Sequence, residues 1–308
     1  MAVCGAERAC KKIISENNID VIHTHFFEPF GESLVISATS SNIPIISTLR
    51  GAELCNMPEF DYGGLRDPFF RTMIKYSLKL SRYITAPNKY LCHKLITEFN
   101  VNPDKVYYLP NGVEDIRVKK NYKVQKDILT FISICNLIKL KNLDIIIDSL
   151  DEVAKSYTNF EVIIVGSGPL KESYIKSIKK LNFKNIKIIN ELPKLDLYKL
   201  ILECDCLIHP SFSEGMPNVV LECLSIGIPC IVSRIPVHEE IIHEGINGFF
   251  INPHDKASLI YKMKYIIKNK EILQKMSKKC INSVNSYSIE NKINGYLKLY
   301  NNLLRNSY

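Results

Sequence analysis

No run of apolar residues in this 308-residue chain is long enough to cross a bilayer, which takes about 20 in helical form, so no membrane-spanning helix is expected. The start of the chain lacks the charged and apolar pattern of a signal peptide, and the expected location is therefore the cytoplasm. Ten cysteines are present, yet no two stand as Cys-x-x-Cys. Cys135, Cys204, Cys206, Cys223 and Cys230 fall in apolar runs, where cysteine behaves as a small hydrophobe, so reduced structural thiols are expected rather than a disulfide framework or a metal cluster. Nor is there an internal repeat or a low-complexity tract, beyond a general bias to Lys, Ile and Asn.

What is there is the composition of a globular protein, 46% apolar and 23% charged, in a chain long enough for two domains with cores of their own. The net charge of +8 is uneven: up to residue 115 there are 12 Lys+Arg against 13 Asp+Glu, and 28 against 19 beyond. The excess lysines lie on stretches read as helices, Lys171–Lys187 and Tyr261–Lys279, without interleaved aromatic or glycine-rich features. A solvated face is the expectation, and a nucleic-acid partner is not. Peripheral contact with an anionic membrane surface is the other expectation for this charge.

Apolar runs alternate with helical stretches along nearly the whole chain. Asp20–His25, Pro44–Thr48, Tyr83–Ala86 and Lys105–Leu109 read as one series of strands. Ile128–Cys135, Glu161–Val165, Asn185–Ile189, Asp205–His209, Pro229–Val232 and Gly248–Ile251 read as a second. That alternation is the pattern of parallel sheets in an α/β protein. Between the series, Pro110-Asn111-Gly112 supplies turn residues, and Ile116–Lys126 is polar, basic and aperiodic, as a linker is. The expected organisation is a partial first domain over residues 1–115, a linker over 116–126, a complete second domain over 127–288, and a final helix within 289–308 that returns to the first domain.

One stretch, His209 to Glu222, carries the most chemistry. Glu214, Gly215 and Met216 end a loop of small residues, and Pro217 stands where the first turn of a helix tolerates proline. The free amides at such a helix start attract phosphate. Glu222 lies between Leu221 and Cys223 on an apolar helix, where leaving it unpaired costs on the order of several kcal/mol. It needs donors, and sugar hydroxyls are donors. The plainer alternative is one capping glutamate and one that reaches solvent or a neighbouring arginine.

These two glutamates, separated by seven residues, preceded by Pro210-Ser211 and followed by Gly227-Ile228-Pro229, resemble the donor-site signature of retaining GT-B glycosyltransferases of glycosyltransferase family 4. Gly166-Ser167-Gly168-Pro169 after Val162–Val165 matches the family's Gly-x-Gly-Pro turn, and Gly245–Phe250 with Pro253 and Asp255 looks like its next segment. The resemblance runs from about Asp20 to the C-terminus. It implies an α/β GT-B architecture, two Rossmann-like parallel-sheet domains facing a cleft, the first of them incomplete because the family's opening strand and glycine-rich loop have no counterpart beyond the faint echo in Cys4–Arg8. It also implies transfer of a sugar from a nucleotide diphosphate sugar to an acceptor hydroxyl with retention, in surface polysaccharide or glycan biosynthesis. A UDP-sugar is the donor expected, a glycan or lipid-linked molecule the acceptor, and no metal or other cofactor is expected.

In that resemblance Glu214 holds hydroxyls of the transferred sugar, Glu222 binds the ribose, and the amides of Gly215 and Met216 with Lys141 stabilise the diphosphate. Gly166, Gly168, Ser211, Pro217 and Asn218 fall on the donor side as well. Asn136 stands where the family has an arginine, and can donate only neutral hydrogen bonds, roughly half as strong as charge-assisted ones. Lys141, five positions on, keeps its charge; the alternative for it is a solvent-exposed lysine at a helix start. Arg50, in Thr48-Leu49-Arg50-Gly51-Ala52-Glu53, replaces the histidine that approaches the transferred sugar. It cannot act as a base but can bind phosphate or carboxylate bidentately; a loop salt bridge to Glu53 is the alternative. Asn111-Gly112-Val113-Glu114 matches Asn-Gly-Val-Asp and is expected to serve backbone geometry through positive φ. His23 and His25 end a strand, where a structural role competes with ligand binding, and a metal site would need a third ligand. Asn136, Arg50 and the short first domain together favour a competing expectation, a truncated remnant or partner subunit that binds nucleotide sugar without turnover.

Overall fold

Two separate all-parallel sheets form in a computed structural model of the chain, which describes residues 2–25, 35, 42–114, 116, 118–122 and 127–305. The chain divides into two compact units, one made of Met1–Gly112, Glu214–Met216 and Ile289–Tyr308, the other of Val113–Ser213 and Pro217–Ser288.

In the first unit, α1 (Ala2–Glu16) precedes β1 (Ile22–His25), β2 (Ile45–Thr48), α2 (Pro68–Leu80), β3 (Tyr83–Ala86), α3 (Lys89–Thr97) and β4 (Val106–Tyr108). Among the described residues the strands run in the order β1-β2-β3-β4. β2 is buried along its whole length, as a strand covered on both faces must be. Helix starts follow their capping residues: the Asp67 carboxylate accepts from the Phe69 amide at 2.7 Å ahead of Pro68, and the Asn88 side chain accepts from the Leu91 amide at 2.7 Å. One face of the sheet is closed by α11 (Ile289–Arg305), whose Leu299 and Leu303 bury against Ile46.

The second unit runs β5 (Leu129–Ile134), α4 (Leu143–Ala154), β6 (Phe160–Val165), α5 (Lys171–Lys180), β7 (Ile186–Ile189), α6 (Lys194–Glu203), β8 (Cys206–His209), α7 (Asn218–Ile226), β9 (Cys230–Ser233), α8 (Pro236–Ile241), β10 (Gly248–Ile251), α9 (Lys256–Lys268) and α10 (Glu271–Ser283). Its strand order is β10-β9-β8-β5-β6-β7. β5, β6 and β8 therefore lie side by side, and the loops after them leave the same edge of the sheet. In open parallel sheets that edge is where ligands bind.

Two expectations are corrected. The helix read over Lys171–Lys187 ends at Lys180, and Lys187 lies in β7. The Asp151 carboxylate of α4 accepts from the amides of Asn182 and Phe183, and Phe183 stacks on Phe160 at 4.4 Å; tertiary anchors thus fix a turn where lysine periodicity suggested more helix. Tyr261–Lys279 is two helices, α9 and α10, parted at Asn269, whose carboxamide donates back to Tyr265 O at 2.7 Å. Such side-chain bonds compete with helix propagation.

The segment read as a linker is described at 116 and 118–122. Part of it is bound to the second unit: Lys120 pairs with Asp205 at 3.0 Å with both side chains nearly inaccessible, and the Tyr122 hydroxyl donates to Asp205 O at 2.7 Å. The other Asp205 carboxylate oxygen accepts from the Thr130 amide at 2.9 Å. The buried cysteines Cys204, Cys206, Cys223, Cys230 and Cys280 are not joined in disulfides.

Candidate functional site

The loops after β5, β6 and β8 are tied together by main-chain bonds. Leu137 N donates to Ser167 O at 2.7 Å, Leu170 N to Leu137 O at 3.1 Å, and Phe212 N to Leu140 O at 2.9 Å. The turn Gly166-Ser167-Gly168-Pro169 packs against the backbone of the preceding loop so closely that a Cβ on Gly166 would stand 1.9 Å from Cys135 O, and one on Gly168 2.7 Å from Leu137 N. Both have φ of 153°. Only glycine fits, and the approach sets the carboxyl ends of β5 and β6 in one register.

Asn136 is exposed on this edge and Lys141 half-buried. Asn142 follows in the left-handed region with φ 55° and donates to Pro210 O at 3.2 Å and Pro253 O at 2.9 Å. It locks the Lys141 loop to the loop carrying Ser211, which is itself buried and held by the Ser233 hydroxyl. Sequence reasoning missed Asn142; its signal is an asparagine just before an apolar helix, a position that tolerates positive φ.

Pro217 caps α7 and Asn218 opens it. Glu222, in the second turn, is half-buried, and its carboxylate accepts from the Tyr198 hydroxyl on α6 at 3.2 Å. Besides the sugar hydroxyls, solvent or arginine considered from sequence, the donor at hand in the structure is a phenol. Burial raises the Glu222 pKa against the opposing pull of that bond and of Lys194. Tyr198 is pushed up to about 12, first by burial and then by the Glu222 charge. Lys194 lies over the Tyr198 ring at 5.6 Å and pairs with Glu114 at 2.8 Å. Tyr198 and Lys194 were not singled out from sequence, since nothing in a lysine-rich helix start marks them.

In the first unit, Arg50 follows β2 and Glu53 lies three residues on. The Glu53 carboxylate accepts from the amides of Arg50 at 3.1 Å and Gly51 at 2.8 Å. The Arg50 guanidinium donates instead to Asn111 Oδ1 at 3.0 Å and to His25 Nδ1 at 3.1 Å. Lys292 of α11 donates to that same Asn111 oxygen at 3.1 Å. Neither Asn111 nor Gly112 has positive φ, so the Asn-Gly pair acts here through its carboxamide and not through a left-handed turn.

His23 uses both ring nitrogens, on the Tyr300 hydroxyl at 2.6 Å and Thr48 Oγ1 at 2.7 Å, which assigns it a structural role. Its pKa falls to about 4, through burial first and then the charges of His25 and Arg50. Glu214, Gly215 and Met216 group with this unit: the Asn88 side chain donates to Gly215 O at 2.5 Å, and Asn111 Nδ2 to Met216 O at 3.5 Å. Among the described residues no group of three or more His, Cys, Asp or Glu is placed to hold a metal ion, and no helix is long and apolar enough to cross a membrane.

Two all-parallel sheets, one of them carrying a glycine turn and a glutamate-bearing helix at its ligand edge, make this an α/β protein of the GT-B class. The Glycosyl transferases group 1 profile matches residues 114–283 and that of Glycosyltransferase Family 4 residues 4–117; the chain belongs to this family of GT-B glycosyltransferases. Among its relatives, N-acetyl-alpha-D-glucosaminyl L-malate synthase of Bacillus anthracis is 22% identical over 308 residues, 96% of this chain and 77% of that protein. UDP-Gal:alpha-D-GlcNAc-diphosphoundecaprenol alpha-1,3-galactosyltransferase of Escherichia coli is 24% identical over 96% of this chain and 78% of its own. The solved structure of Anabaena HepE in complex with UDP superimposes with a TM-score of 0.76 at 16% identity, over 96% of this chain and 81% of that one. The chain is thus a glycosyltransferase related to enzymes of glycan and polysaccharide biosynthesis.

Proposed function

We propose that the chain transfers a sugar from a uridine diphosphate sugar to an acceptor hydroxyl with retention of anomeric configuration. The observation that carries this is the convergence of the Gly166–Pro169 turn, the Asn136–Asn142 loop and the start of α7 at the edge formed by β8, β5 and β6. The turn brings bare backbone up to where a diphosphate can lie, Lys141 offers a cation, and the amides preceding α7 point a helix terminus at the leaving group. Glu222, with the Tyr198 hydroxyl already in reach, takes the ribose hydroxyls, and Glu214 those of the transferred sugar. Ser211 and Asn218 belong to the donor side in this reading, and Asn136 adds a neutral donor on the loop that carries Lys141.

No metal enters this scheme, because fixed positive groups do its work. The uridine assignment draws on the relatives: HepE is seen with UDP, and the Escherichia coli enzyme is named for UDP-Gal. That enzyme's name also gives a diphosphoundecaprenol acceptor, which supports a lipid-linked acceptor here and work at the inner face of a membrane.

The test is thermal unfolding with excess UDP, GDP or ADP, alone and as nucleotide sugars, since a ligand of the native state raises the midpoint by mass action. A rise with UDP that Glu222→Ala diminishes is the expected outcome. A wild-type midpoint indifferent to all three nucleotides would sink the proposal. Retention is read from the anomeric coupling of the product formed from an α-configured donor.

A further inference from the structure

We infer that Arg50, Lys292 and His25 form an anion-binding site in the first unit, which takes a phosphate or carboxylate group of the acceptor. The inference rests on the transfer reaction proposed above and names the class of its second substrate.

Three elements bring these side chains together. His25 ends β1, Arg50 lies two residues beyond β2, and Lys292 is in the first turn of α11. Arg50 and Lys292 converge on a single neutral atom, Asn111 Oδ1, at 3.0 and 3.1 Å. Two cations gathered on one carboxamide oxygen repel each other, and a half-buried position weakens the solvent that would screen them. An oxyanion seated between them reverses that balance. The guanidinium fork suits it, being planar and able to donate two parallel bonds.

His25 adds a third donor. A guanidinium can only donate, so His25 Nδ1 accepts the Arg50 bond at 3.1 Å and the neutral ring carries its proton on Nε2. The charges acting on His25 have one sign: its pKa is lowered by burial, then by Arg50 and Lys292, and that of Lys292 by burial and Arg50. The remaining ring neighbours are positioning groups. His23 lies 4.2 Å from His25, centroid to centroid, and Tyr296 lies 6.4 Å away, and His23 is itself fixed by Tyr300 and Thr48.

Two features assign the anion to the acceptor. The cluster stands at the carboxyl ends of β1 and β2, in the sheet that does not carry the glycine turn. It is also joined through Asn111 Nδ2 to Met216 O, at 3.5 Å, two residues from Glu214. An acceptor anchored by its anionic group at Arg50 and Lys292 would therefore present a neighbouring hydroxyl to the loop that handles the transferred sugar.

The experiment titrates the full chain with inorganic phosphate and with succinate, with and without saturating UDP, and follows the His25 Cε1–H resonance. The expected result is a saturable shift accompanied by a rise in the His25 titration midpoint, because a bound anion opposes the two cations. Lys292→Ala is expected to weaken that binding at least tenfold while the rise in melting midpoint with UDP persists, and Lys292→Arg to retain it. A response to phosphate alone indicates a phosphoryl-bearing acceptor, and a response to succinate a carboxylate; either supports the site. The inference is overturned if His25 shows no saturable shift, if Lys292→Ala binds phosphate as wild type does, or if UDP displaces phosphate from His25, which would give the cations to the donor. A chain that takes phosphate at His25 yet ignores UDP refutes the donor proposal and not this site.

Discussion

The two units arrange their functional residues by opposite means. In the second, main chain sets the site: a glycine turn abuts the backbone of Cys135 and Leu137, and loop amides bond loop carbonyls. In the first, side chains set it, through Arg50, Asn111 and Lys292, and through His23, Thr48 and Tyr300. A backbone-built edge is suited to a constant ligand part such as a diphosphate, since amides are present whatever the residue. A side-chain cluster can be rewritten by single substitutions, which suits the part of the reaction that differs between enzymes.

The largest effect that could break this contrast is at Lys120. Lys120→Ala strips the partner from the buried Asp205 carboxylate and is expected to cost about 3–5 kcal/mol in denaturant unfolding; a loss under about 1 kcal/mol would show that this anchor is not part of the rigid framework. Next, Gly166→Ala forces a Cβ onto Cys135 O and is expected to cost about 2–3 kcal/mol in strain and overpacking. Retention of the wild-type melting midpoint would disprove the backbone account. Glu222→Ala should lower UDP affinity about tenfold, near 1.4 kcal/mol, measured by calorimetry, with little change in fold stability.

A pH dependence tests the side-chain half of the contrast, in the first unit. His23 titrates near its ordinary 6.5 when unfolded and at about 4 when folded. Its stabilising contribution is therefore intact above pH 6.5 and lost as pH falls from 6.5 towards 4, where the unfolded chain takes up the proton first. His23→Gln should flatten the stability profile over that interval relative to wild type. Equal slopes in the two proteins would mean the ring is not held neutral.

The same contrast governs how much could be read in the sequence. The strands, the alternation into parallel sheets and the glycine turn were legible because buried parallel strands are unbroken apolar runs and because a tight backbone approach admits few residue types, as at Gly166 and Gly168. Lys292 and Tyr300 were not, because their roles arise from pairings with Asn111 and His23 across most of the chain, 181 and 277 residues away. Asn269 divided a lysine-rich stretch that periodicity alone reads as one helix, and Lys120 turned a basic, aperiodic segment into an anchored one. In each of these cases a tertiary partner decided the outcome, and local composition carries no trace of a partner.

One consequence follows from the way α11 closes the first sheet. Ile46 is covered by Leu299 and Leu303, so on the ribosome the strands of the first unit wait with an uncovered apolar face until roughly 250 further residues have emerged. At about 5–20 residues per second that interval lasts on the order of ten seconds or more. The second unit, nearly continuous in sequence, can settle during it. Chaperone demand should accordingly concentrate on the first unit.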